Sequence, residues 1–198
     1  MKQTRLAAII LAVIVFSATV VPMAVYAATS SANTTINANL GSTISISTSG
    51  SVTLNVTPVS GGSQTSASDT VSVSTNNSSG YYLTLSDSDA NTNLVNGGNN
   101  IAAHAGTQAS PSALANNRWG YRVDSIGGFS TGGAVENNVT TSSITYAGIP
   151  ASGSPNTIKT TGATASGDTT TVWYAVKADT TNPNGTYSDI VTYTATTN

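Results

Sequence analysis

Residues 170–197 read TTVWYAVKADTTNPNGTYSDIVTYTATT, and this stretch predicts the fold most clearly. Its two ends, residues 171–177 and 186–196, are rich in β-branched and aromatic side chains, which suit a pleated and half-buried surface. Between them, Pro183 fixes φ and Gly185 accepts a positive φ, as a turn requires. The stretch therefore predicts two strands that pair as a hairpin in an antiparallel sheet.

The N-terminus has the pattern of an export signal. Lys2 and Arg5 precede a long apolar run, and Val25-Tyr26-Ala27 places a small residue before a cleavage point. We expect residues 1–27 to be a helical signal peptide that is cleaved after Ala27. The alternative is an uncleaved membrane anchor, because residues 6–28 are just long enough to span a bilayer.

The charge balance bounds the partners of the remaining chain. The full sequence has six Lys and Arg residues against eight Asp and Glu residues, and Lys2 and Arg5 belong to the leader. Without a basic stripe, neither nucleic acid nor an anionic membrane surface is an expected partner. Membrane contact is expected only through the N-terminal segment, if that segment is not cleaved.

The chain contains no cysteine. Disulfides and thiolate metal sites are therefore excluded, and an exported domain of this kind must be stabilised by its core alone. This composition is typical of export to a bacterial cell surface.

Short alternating runs recur along residues 28–198. In residues 51–57, Val52, Leu54 and Val56 alternate with polar residues, which predicts a strand with one buried face. A short helix is expected within residues 101–115, with Ser110 as its N-cap. Further strands are predicted at residues 43–48, 70–75, 81–86 and 117–123, and weaker ones at 34–40 and 143–146.

Together these runs predict one all-β domain over residues 28–198, an antiparallel Ig-like β-sandwich with long polar loops. Tyr187 follows a tight turn and opens a late strand, as the tyrosine corner of Ig-like sandwiches does. The alternative for Tyr187 is an ordinary strand aromatic.

Four runs carry a resemblance to a known family. They resemble exported β-sandwich proteins on the surfaces of Gram-positive-type bacteria and of ultrasmall, host-attached bacteria, and are similar to WxL-like cell-wall-associated proteins. The resemblance implies an Ig-like domain that is secreted or held at the cell wall. The chain departs from the Trp-x-Leu pattern, because Trp119 precedes Gly120-Tyr121 and Trp173 precedes Tyr174-Ala175. The runs are VSVSTNNSSGYYLTLSDSD (71–89), NNRWGYRVDS (116–125), TYAGIPASGSP (145–155) and VWYAVKADTTNPNGTYSDIVTYTATT (172–197).

Two motifs were weighed as chemical sites. Residues 128–132 fit the nucleophile pattern G-x-S-x-G around Ser130, but the single histidine, His104, precedes the serine in the chain, so we expect no catalytic residues. Residues 87–93 place Asp and Asn at alternate positions, as in the first half of a calcium loop, but Thr92 and Gly98 replace the required Gly and Glu. A looser Ca²⁺ site is a weak alternative to a polar turn; no other metal or cofactor is expected.

Exposed aromatic rings are the remaining candidate for binding. Because aromatic rings bury area and leave a polar handle, a platform for stacking sugars would be formed by Trp119, Tyr121, Tyr146, Trp173 and Tyr174. The alternative is packing in the core and between strands.

The sequence therefore predicts a non-enzymatic structural or adhesive protein, secreted or displayed on a bacterial surface. Its partners would be surface proteins, glycans or copies of itself, since polar, weakly charged strands suit edge pairing. Residues 28–40 are a candidate for a strand donated to a neighbour's sheet. The alternative is a carbohydrate-binding module that uses Trp119 and Tyr121.

Overall fold

The chain is all-β in the part that the structure describes. A computed structural model describes residues 26–198, so the signal helix expected over residues 1–27, and most of the alternative anchor, lie outside the described residues. Within 26–198 there is no helix long and apolar enough to cross a membrane. The strands are β1 (Ile44–Ser47), β2 (Ser63–Thr75), β3 (Tyr81–Asp87), β4 (Leu94–Asn96), β5 (Asn99–Ala103), β6 (Ser112–Ala113), β7 (Arg118–Arg122), β8 (Glu136–Val139), β9 (Thr145–Tyr146), β10 (Asn156–Thr160), β11 (Ala165–Ala178) and β12 (Val191–Thr197).

These strands form three hydrogen-bonded sheets. The large sheet has the order β1-β2-β11-β7-β5-β4, with β8 also paired to β2. The middle sheet has the order β10-β3-β12, and β6 pairs with β9 in a small ribbon. The pairs are antiparallel except for β5 with β7, which is parallel.

All of the strands belong to one compact unit, Leu40–Asn198. Met1–Asn39 is a separate unit, and its described residues, 26–39, are exposed and have no regular secondary structure. The weak strand predicted at residues 34–40 is therefore not formed, because no strand of the described chain pairs with it.

The large and middle sheets contribute to a single hydrophobic core. Val71 and Val172 of the large sheet are fully buried in the same cluster as Leu83, Leu85 and Ile158 of the middle sheet. Since each of these strands alternates in burial, one face of each sheet supplies most of the apolar surface removed from water.

The predicted hairpin of residues 170–197 is wrong in its pairing, although both of its runs form strands. β11 pairs with β2 and β7, whereas β12 pairs with β3 in the other sheet. The polypeptide crosses between the sheets, and the hydroxyls of Tyr174 and Tyr193 meet at 2.6 Å. This arrangement turns the apolar faces of both runs onto one core, whereas hairpin partners would lie side by side.

The crossing contains Tyr187. Its Oη donates to the carbonyl oxygen of Pro183, four residues upstream, at 2.8 Å, as in a tyrosine corner. Tyr187 does not open a strand, however, because β12 begins at Val191, so the tyrosine corner of an Ig-like sandwich stays a prediction. Gly185, in the same crossing, has the positive φ expected of it, 153°.

The helix predicted within residues 101–115 is wrong. Residues in this range belong to β5 and β6, and Ser110 closes a tight turn in which its N–H donates to Thr107 O at 3.1 Å. His104 N donates to Trp119 O at 2.8 Å, so the backbone at this point is hydrogen-bonded to the neighbouring strand β7 and not within a helix. Tertiary pairing thus overrides the local capping signal.

Candidate functional site

Residues 51–57 alternate in burial, as a strand does, but are not assigned to a strand and have no strand partner in the described chain. Their burial alternates: Val52, Leu54 and Val56 pack against the core, while the four residues between and beside them are exposed. Two carbonyls of this unpaired segment are held by side chains of β2, since Thr65 Oγ1 donates to Asn55 O at 3.1 Å and Ser63 Oγ donates to Thr57 O. The alternation predicted from the sequence is correct, but the segment is not part of a sheet.

β12 presents a second open edge. It pairs with β3 on one side and has no other strand partner among residues 26–198. Proteins usually protect such edges with lysine, proline or bulges. The sequences of β12 (VTYTATT) and of the unpaired segment (SVTLNVT) contain no proline and no charged residue, so neither edge is protected in this way.

A groove lies beside the unpaired segment and the start of β12. Its lining includes the unpaired segment, the crossing residues 185–190 and Val191–Tyr193 of β12, and it has a volume of about 1060 Å³. This volume is just above the ~300–1,000 Å³ range of ligand sites. The core side chains that complete the lining are mainly apolar: Leu94, Ile101, Trp119, Tyr174 and Val176.

The rim of the groove carries many Ser, Thr and Asn side chains, and two of its polar contacts are formed within the chain. The Asp69 carboxylate accepts hydrogen bonds from Ser49 N at 3.0 Å and from Ser49 Oγ at 2.6 Å. Burial raises the pKa of both Tyr174 and Tyr193, so the two hydroxyls stay protonated and keep their mutual bond at neutral pH. The groove therefore suits an uncharged, partly apolar occupant.

Asp189 is the other charged residue in the lining of the groove. Partial burial and the nearby carboxylates of Asp87 and Asp89 raise the pKa of Asp189 to about 7. Asp189 Oδ2 and Asp87 Oδ2 are buried and have no hydrogen-bond partner in the described chain. The end of the groove thus carries a carboxyl that is half protonated near neutral pH.

The loop of the weak Ca²⁺ alternative, residues 87–93, forms hydrogen bonds between its own side chains and backbone. Asp87 Oδ1 accepts from Asp89 N at 2.9 Å, and Asp89 Oδ1 accepts from Asn91 N at 2.6 Å. Among residues 26–198 no group of three His, Cys, Asp or Glu side chains is placed to hold a metal ion. These bonds are those of successive Asx turns.

Trp119 and Tyr121 lie in the core. Trp119 is 3% exposed and Tyr121 is fully buried. Trp119 Nε1 donates to Thr92 O at 2.9 Å, and Tyr121 Oη donates to Gln108 Oε1 at 2.7 Å. Because a ring must present a face to solvent to stack on a sugar, the structure provides no exposed platform at these two residues.

A smaller cavity of about 450 Å³ lies beside Trp173, whose ring is half-buried. Asp124 and Lys159 also line it. Asp124 accepts from Arg122 Nε at 2.6 Å and from Gly133 N, and Lys159 Nζ pairs with Asp168 at 2.6 Å. This cavity joins one ring of the predicted platform, that of Trp173, to polar groups that are held in place, whereas Tyr146 and Tyr174 are buried.

The histidine is placed with a different serine from the one in the motif. His104 Nε2 lies 2.8 Å from Ser112 Oγ, whereas Ser130 is exposed and its carbonyl accepts from Arg122. His104 Nδ1 is buried without a hydrogen-bond partner in the described residues, so no third group orients the ring as a base. Burial, followed by the charge of Arg118, lowers the pKa of His104.

The groove was not predicted from the sequence. The available signal was the alternation of residues 51–57, which identifies a buried face but says nothing about which strand lies alongside. Comparisons with models of protein families, with curated proteins and with solved structures found no match to this chain. Its function must therefore be argued from the geometry of the groove.

Proposed function

We propose that this protein is an exported, non-enzymatic component of a bacterial cell surface, with a structural or adhesive role. Its body would be an Ig-like β-sandwich formed by the large and middle sheets, which share one core. The observation that carries the proposal is the groove, because the unpaired segment and the start of the edge strand β12 line a cavity with apolar core side chains beneath it. Such edges bind extended polypeptide by adding a strand to a sheet.

The location follows from the leader and from the composition. The export pattern of residues 1–27 and the absence of cysteine are both typical of a protein secreted by a bacterium. The polar strands and the low charge suit contact with other proteins at the surface. Among residues 26–198, no group bonds His104 Nδ1 to orient the histidine beside Ser112, which is the basis for proposing a role without catalysis.

Expression of the full chain in a Gram-positive-type host tests the proposal. We expect the signal peptide to be cleaved after Ala27. The mature protein should be found at the envelope or in the medium, and protease added to intact cells should degrade it. A matched chain in which Leu11 and Ile14 of the apolar run are replaced by aspartate should stay inside the cell. Retention of the unchanged chain in the cytoplasm would contradict the proposal.

A carbohydrate-binding role is the second candidate, now supported by the cavity beside Trp173. A half-buried indole next to Asp124 and Lys159 offers one stacking surface and nearby hydrogen-bonding groups. A glycan array with the purified protein tests this role. Trp173→Ala should abolish any signal, while Tyr82→Ala, which removes a ring that is 38% exposed elsewhere, should leave it unchanged.

A further inference from the structure

We propose that residues 34–40 of a second copy of this chain insert as a strand into the groove between the unpaired segment and β12. This inference rests on the proposed function and identifies the segment that would bind in the groove. Assembly would then proceed by strand donation from one copy to the next, giving a chain of subunits.

The acceptor side lacks one strand. The unpaired segment packs its three apolar side chains on the core without a ladder partner, and β12 is an edge strand. Each spans seven residues. A strand placed between them would satisfy backbone groups on both sides and remove apolar lining from water.

The donor side is present in the same chain. Residues 34–40 read TTINANL, in which Ile36, Ala38 and Leu40 alternate with polar residues. Ile36 and Leu40 are each 84% exposed, so burial of both side chains in a groove would remove apolar area from water. The segment predicted as a weak strand thus has the pattern of a strand whose sheet is missing.

The length and charge of residues 34–40 also suit the groove. Seven extended residues span roughly 23 Å, which matches the seven residues 51–57 that line the groove, and Val191–Tyr193 of β12 line it as well. Residues 28–40 contain no charged side chain, so the donor brings no carboxylate near Asp69 and Asp189 of the groove.

The segment is available to another copy. In its own chain Ile36 and Leu40 are exposed, so neither side chain is buried by its own body. The connection that follows is fixed by Asn76, whose Nδ2 donates to Gly41 O at 2.8 Å and whose Oδ1 accepts from Thr43 N at 2.7 Å.

The test uses the full chain, exported from a host and purified from the medium. Ile36→Asp with Leu40→Asp places two carboxylates on the inserting face, and Thr35→Asp with Asn37→Asp places the same charge on the other face. We expect the unchanged protein and the control to form oligomers by size exclusion and negative-stain microscopy. The inserting-face variant should associate at least about a hundredfold more weakly, because ionised groups are excluded from an apolar site.

Hydrogen exchange locates the contact. In the oligomer, the amides of Val52, Leu54 and Val56 and those of β12 should be protected, and this protection of the unpaired segment should be lost in the inserting-face variant. Oligomers that persist in that variant would overturn the proposal. A monomeric unchanged protein would also overturn the proposal. In that case, protection of residues 51–57 would mean that the chain's own segment fills the groove, and a lack of protection would mean that the groove stays empty.

Cysteine cross-linking supplies an independent readout, since the chain has no cysteine of its own. Ala38→Cys in one copy and Leu54→Cys in another should give a disulfide-linked heterodimer after mild oxidation, and Asn37→Cys should not. If display at the envelope persists in the inserting-face variant while assembly is lost, the two proposals stand together. Export with unchanged assembly would overturn strand donation alone, and failure of export would overturn the proposed function.

Discussion

Asp189 is the residue at which the chemistry of the groove depends on pH. Its carboxyl has a pKa of about 7 because of partial burial and the neighbouring Asp87 and Asp89, compared with an ordinary value of 3.8. The folded protein therefore binds more protons than the unfolded chain between these two values. The contribution of Asp189 to stability therefore falls as pH rises from about 4 to about 7 and is constant above that range.

We therefore expect Asp189→Asn to raise the melting temperature at pH 8 and to leave it nearly unchanged at pH 4. A rise of about 2–4 °C corresponds to roughly 1 kcal/mol in a domain of this size. Thermal melts in EDTA at the two pH values measure it. The control is Asp179→Asn: hydrogen bonds from Thr181 hold the pKa of this exposed carboxyl below its usual range, so that variant should gain nothing at pH 8.

Gly120 occupies a place in β7 where no side chain fits. A Cβ at this position would lie 2.3 Å from the carbonyl oxygen of Ala147, which belongs to a backbone bridge with Tyr121 and has little freedom to move. We expect Gly120→Ala to lower the free energy of unfolding by about 1–3 kcal/mol in urea denaturation. Gly98→Ala is the matched control, because nothing lies within 4 Å of its Cβ.

At the scale of elements, the sequence predicts which residues form strands better than it predicts their neighbours. The alternation of residues 81–86 and 51–57 identifies buried faces correctly, because period-2 burial is a local property. Pairing is not local. The turn signal at residues 182–185 is genuine, yet the chain uses it to cross between sheets.

The polar half of β2 is the element that was missed altogether. Residues 63–66 read Ser-Gln-Thr-Ser and resemble a loop, but all four are buried between β11 and β8. Their hydroxyls and amide find partners there: Gln64 Nε2 bonds Glu136, and Ser66 Oγ donates to Ala134 O at 2.7 Å. These hydrogen bonds offset the free-energy cost of burying the polar groups. A pattern of hydrophobic residues cannot predict such a strand, because its buried side chains are polar.

The contact between Tyr174 and Tyr193 tests the crossing of β11 and β12 into different sheets. Removing either hydroxyl leaves the other buried without this partner, so Tyr174→Phe and Tyr193→Phe should each cost about 1–2 kcal/mol. The double variant should cost less than the sum by about 0.5 kcal/mol or more in a double-mutant cycle. Additive losses would mean that the two hydroxyls do not meet, and Tyr82→Phe provides the surface control.

At the scale of the whole molecule, residues 40–198 hold all of the strands and the core. A chain that lacks residues 28–39 should therefore fold, with a melting temperature within about 2 °C of that of the longer chain when both are monomeric. Differential scanning calorimetry at low protein concentration measures this. A large loss of stability would show that the removed residues complete the core of their own copy.

The shortened chain also provides a groove with no donor on any copy. A synthetic peptide of residues 28–40, added in excess, should bind the folded chain and not the unfolded one. Ligand at a hundredfold its Kd stabilises a protein by about 2.7 kcal/mol, which raises the melting temperature of a domain of this size by about 5–10 °C. The matched peptide with aspartate in place of Ile36 and Leu40 should give no rise. Equal rises with both peptides would mean that the apolar face of the segment does not enter the groove, and strand donation would then have to be abandoned even if the protein assembles by another surface.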